Sequence, residues 1–68
     1  MAQTITLSRL ESLTRMLDDT KKIIVYDKHT GYWSWVDKDC VNNLFDYHTG
    51  FNSWLNAVLD ALEPYLPE

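Results

Sequence analysis

Two short stretches of this sequence set a carboxylate and an imidazole two residues apart, Asp27-Lys28-His29 and Asp46-Tyr47-His48. On an extended strand, residues i and i+2 face the same side, so each pair would offer one oxygen and one nitrogen ligand. Two such pairs meeting would make a four-ligand Zn or Ni site, with Cys40 as a fifth candidate. Turn chemistry is the competing reading. In Asp27-Lys28-His29-Thr30-Gly31 the Asp accepts local amide bonds and the Gly supplies positive φ, with no metal needed. The ligand spacing is far less specific than paired C-x-x-C motifs, so turn chemistry is preferred and no metal or cofactor is expected.

Nucleophilic catalysis has weaker support. Cys40 with His29 or His48 and an Asp satisfies a roster of residue types, but those types coincide by chance in most domains. Gly31 and Gly50 are the only glycines, which excludes a glycine-rich phosphate cradle. A catalytic pocket typically occupies about 300–1,000 Å3, which is large against the core of so short a chain. The chain is expected to be non-enzymatic.

The elements that must position these residues belong to one small domain of 68 residues. A core below about 70–80 residues rarely supplies more than roughly 3–5 kcal/mol of net stability. Cys40 is the single cysteine, so no intramolecular disulfide staples the fold. Thr4, Thr6, Ser8 and Arg9 interrupt the first apolar residues, unlike a secretion signal, and no apolar run nears the roughly 18 residues of a membrane span. A soluble cytoplasmic protein is expected. The hydrophobic fraction of 46% and charged fraction of 24% suit an ordinary globular domain.

Leu10, Leu13 and Leu17 recur at helical spacing after Ser8-x-x-Glu11, a capping box, and predict a helix over about 9–20. Ile5 and Leu7 alternate with Thr4 and Thr6 and suggest a short opening strand. Lys22–Tyr26 and Tyr32–Val36 flank the turn signal and predict a β-hairpin from about 22 to 36. Phe51, Trp54, Leu55, Val58, Leu59 and Leu62 form an apolar stripe, with Ser53 as cap and Pro64 as limit, predicting a helix over about 54–63. Together these make a small single-domain α+β fold, 1–68.

Residues 25–36 (VYDKHTGYWSWV) and 44–55 (LFDYHTGFNSWL) share six of twelve positions at an offset of 19. The repeat favours a second hairpin turning at His48-Thr49-Gly50. The spacing of Val41, Leu44, Phe45 and His48 favours a helix over about 40–47 instead, with Asp39 as cap. The helix is the preferred of the two. The G-x-x-S-W of each copy resembles the Asp-box, a hairpin motif of sialidase-type propellers. His29 and His48 stand where that motif has its Asp, and the motif is structural in its own family, so no function follows.

Function is therefore sought at the surface. All six basic residues lie in the first 38 positions against five acids there, whereas from Asp39 onward there are five acids and no Lys or Arg. So few cations disfavour nucleic-acid binding. Trp33 and Trp35 share one strand face and, with Tyr32, Asp46, Tyr47, Asp60 and Glu63, form the expected partner-binding set: aromatic anchors inside an acidic rim. The expected partner is a larger protein with a basic surface. By size and acidity the chain resembles inhibitors from phages and mobile elements, anti-CRISPR and other anti-defence proteins among them. A homodimeric structural or regulatory protein is the first alternative. A metal-binding module built on the two D-x-H pairs and a small carbohydrate binder using the Trp pair follow it.

Overall fold

Thr6 lies in an extended conformation and its hydroxyl accepts a hydrogen bond from the Arg9 amide at 3.2 Å, opening α1 (Leu7–Asp19). The computed structural model describes residues 6–66. The cap thus falls two residues before Ser8. Both positions carry hydroxyls that can cap a helix, and spacing alone does not rank them. Leu7 is helical and 70% exposed, while Thr4 and Ile5 of the expected opening strand lie outside the described residues. Leu13 and Leu17 are the buried residues of α1. Lys21 follows with φ of 57°, a left-handed position usually given to glycine. Its carbonyl accepts from the Lys38 amide at 2.8 Å, tying the helix exit to the far end of the hairpin.

The hairpin forms as expected from β1 (Lys22–Asp27) and β2 (Tyr32–Asp37), paired antiparallel from Lys22↔Asp37 to Asp27↔Tyr32. Its turn is the D-x-H-T-G chemistry read from sequence. Asp27 Oδ1 accepts from the His29 amide at 2.9 Å, and the Gly31 amide, at φ of 76°, donates to the Asp27 carbonyl at 2.8 Å.

Residues 38–51 depart from both expectations. Two single 3-10 turns, Lys38–Cys40 and Leu44–Asp46, replace the expected helix, and β3 (His48–Phe51) replaces a second hairpin. The cause is local. Asn43 turns extended (φ −110°, ψ 104°) and its side-chain oxygen accepts from the Phe45 amide at 3.1 Å. That bond competes directly with a continuing helix. β3 then pairs antiparallel with β2, completing a sheet of order β1-β2-β3. Phe51 faces Trp33 and Thr49 faces Ser34, leaving Gly50 (φ 96°) as the extra residue of a bulge.

Ser53 caps α2 (Trp54–Leu62) by accepting from the Asn56 amide at 3.1 Å, and Pro64 sits in the 3-10 turn Glu63–Tyr65 that follows. Helices α1 and α2 pack on the same face of the sheet. Their core joins Leu13 and Leu17 to Val58, Ala61 and Leu62 around Trp35, with Ile24 and Phe51 packed against it. The result is a two-layer α+β domain. Among the described residues no helix is long and apolar enough to cross a membrane.

Candidate interaction surface

Alternation along β2 decides where its aromatics go. Trp33 and Trp35 point toward the helices, and Ser34 and Val36 point away. Trp35 is consequently a core residue, 9% exposed, and not part of an open face. Its indole N–H donates to Asp60 Oδ2 at 2.8 Å, and the His48 ring stacks on it at 4.0 Å with planes 7° apart. The Lys22 ammonium lies 4.8 Å from the Trp35 ring centroid and pairs with Asp37. Asp60, expected on an acidic rim, is exposed and at the same time accepts the hydrogen bond of this buried ring. Trp33 is half-buried, with Tyr26 tilted against it at 4.9 Å. Tyr32 stays 45% exposed at the hairpin end, and Glu63 is exposed beyond α2 on the helical side.

The opposite face of the sheet is where the surface opens. Val25, Ser34 and Thr49 from the three strands, with Leu44 and Tyr47 from the β2–β3 connection, line a groove of about 580 Å3. Asp27, Lys28 and His29 close it at the hairpin end. On its floor the Ser34 hydroxyl donates to Thr49 Oγ1 at 2.8 Å, which satisfies a polar pair across the strands. The Tyr47 hydroxyl donates to the Val41 carbonyl at 2.8 Å and fastens the connection to itself. Val36 also points to this side yet is fully buried, so the sheet is covered there and the groove lies toward the hairpin end.

Leu44 and Phe45 stand at the apex of that connection, 81% and 97% exposed. They are held there by backbone bonds. The Asn43 amide donates to the Cys40 carbonyl and the Asp46 amide to the Asn43 carbonyl, each at 3.0 Å, alongside the Asn43 side-chain bond to Phe45. Sequence reasoning missed this pair because Val41, Leu44 and Phe45 match the buried stripe of a helix. Asn42-Asn43 just before them, poor helix formers that favour local side-chain bonds, was the available signal.

The two D-x-H pairs do not meet. Asp27 and His29 belong to the hairpin turn, His48 is stacked on Trp35, and Asp46 lies exposed in the connection. Among the described residues no three His, Cys, Asp or Glu side chains gather to hold a metal ion. Cys40 has a different neighbourhood: partial burial first, then the Asp46 carboxylate, then Asp37 and Asp39, hold its thiol above the ordinary value. Since the thiolate is the reactive form, less of it is present at pH 8 than for a free cysteine. Iodoacetamide should label Cys40 several-fold more slowly than a model thiol at pH 8, and Asp46→Asn should speed the reaction. Equal rates in the two proteins would remove Asp46 from the cause.

No family model, curated protein or solved structure matches this chain.

Proposed function

We propose that this chain is a non-enzymatic binding module that engages a larger protein through the Leu44–Phe45 apex and the adjoining groove, and thereby inhibits or modulates it. The carrying observation is Phe45, a ring left 97% in water on a turn whose own hydrogen bonds hold it out. Burying such a side chain against a partner is worth about 1.5–3 kcal/mol, and aromatic anchors of this kind dominate interface energetics. Charge supports a particular partner class. Asp39 and Asp46 flank the apex, and the chain carries no Lys or Arg from Asp39 onward. The matching surface is an apolar pocket inside a basic rim, as on proteins that handle nucleic acid. An anti-defence inhibitor acting in the cytoplasm, from a phage or mobile element, is the reading that combines this charge with the small size.

Photo-crosslinking tests it. With benzoylphenylalanine at position 45, irradiation in the native host should yield one dominant adduct to a larger protein. The same group at position 11, exposed on α1, should not yield it. Identical adduct patterns from the two positions would overturn the assignment of the apex.

A further inference from the structure

Strand order leaves β1 with a partner on one side only among the described residues. No backbone hydrogen bond among those residues joins Ile23–Tyr26 to anything but β2. In an antiparallel pair every second residue turns its N–H and C=O outward, so β1 presents a row of unpaired groups. The strand itself suits pairing. It has six residues, contains neither Pro nor Gly, and pairs with β2 without a bulge. Val25 and Tyr26 on it are 37% and 51% exposed.

The occupant that fits is a second copy of this chain. A two-fold axis normal to the sheet sets two β1 strands antiparallel with both helical layers on one side. Residues directly opposite share a face, so only registers pairing even with even and odd with odd numbers are permitted. Centred on Val25, the pairing puts Lys22 opposite Lys28 and Ile23 opposite Asp27 of the second copy, a like-charge contact and a charge against an apolar residue. Centred on Ile24, it puts Ile23 opposite Val25 and Lys22 opposite Tyr26, with Lys21 at the strand entrance beside Asp27. The first arrangement keeps one favourable pair, Ile24 opposite Tyr26, but the second removes both unfavourable contacts, so cross-strand energetics favour it. We propose that the chain forms a two-fold dimer by antiparallel pairing of β1, with Ile24 on the axis. A single edge pair lies at the small end of interface sizes, so the dimer is reversible. It leaves the Leu44–Phe45 apex free, although Val25 also lines the groove beside that apex.

Sedimentation equilibrium of the full chain tests this. The wild type should approach twice the mass of one chain as concentration rises, and Val25→Lys should remain at one mass with an unchanged melting curve. Phe45→Ser should dimerise like the wild type. A single-chain mass for the wild type up to about 1 mM, the weak end of the affinity scale, would overturn the proposal. So would a dimer that Phe45→Ser dissociates and Val25→Lys does not. Register is tested by oxidation. On-axis Cα atoms in an antiparallel pair are about 4.5–5.5 Å apart, within disulfide reach. Ile24→Cys/Cys40→Ser should therefore cross-link faster than Val25→Cys/Cys40→Ser, and the reverse order would move the axis and overturn the register.

Discussion

Trp35→Ala is expected to cost about 3–5 kcal/mol, the upper range for truncating a buried aromatic, and to leave much of the chain unfolded. The whole net stability of a staple-free core this small is about 3–5 kcal/mol. Trp35 belongs to the buried cluster that holds Leu13 and Leu17 of α1 and Val58, Ala61 and Leu62 of α2, and its ring stacks on His48 of β3. Truncation opens a cavity at that junction. It also removes the indole donor to Asp60 and the ring beneath the Lys22 ammonium. Urea unfolding followed by far-UV circular dichroism would measure the loss, and a midpoint close to that of the wild type would refute the central place given to this ring. Trp33→Ala should cost less, because Trp33 is only half-buried. A Trp33→Ala/Trp35→Ala double variant is therefore unsuitable as a probe of binding, since it would lose partners by unfolding.

Phe45→Ala should behave in the opposite way. At 97% exposure the ring contributes almost nothing to folding, and surface substitutions of this kind stay within about 0.5 kcal/mol of wild type. If it anchors a partner, its truncation should weaken binding by about 2–4 kcal/mol, roughly 30- to 1,000-fold. Leu44→Ala should cost less, because Leu44 lines the groove and leaves the apex ring in place. Titration calorimetry against the crosslinked partner, run beside thermal melts, separates the two effects. Unchanged affinity with unchanged stability would show that Phe45 is not the anchor.

The hairpin and α2 were legible because their determinants are local. Asp27 and Gly31 close one turn between two β-branched or aromatic runs, and Ser53 and Pro64 bracket one apolar stripe. The connection and β3 were not legible, because their determinants are distant. His48-Thr49-Gly50-Phe51 becomes a strand by meeting Trp35, Ser34 and Trp33, 13 to 18 positions earlier. The repeat shows the same limit. Ser34 lies buried inside β2 while its counterpart Ser53 caps a helix, and Gly31 closes a turn while Gly50 makes a bulge. Shared letters carried shared backbone tolerance at the glycines, and the neighbours decided the rest. Trp35 was expected on an open face and is buried instead for a related reason. Pairing Trp33 with Trp35 on one face was correct, but which face the helices cover depends on how α1 and α2 cross the sheet, and strand periodicity does not encode that.

The bulge at Gly50 also gives the two margins of the sheet unequal capacity for growth. β1 is six residues long and regular, whereas β3 has four residues and an interrupted register. A protein with two regular margins can recruit copies at both and lengthen without limit, which is the geometry of a fibre. A protein with one regular margin offers a place for a single further copy. Gly50 thus leaves β3 the shorter and less regular margin of the two, the one less suited to accept a further strand.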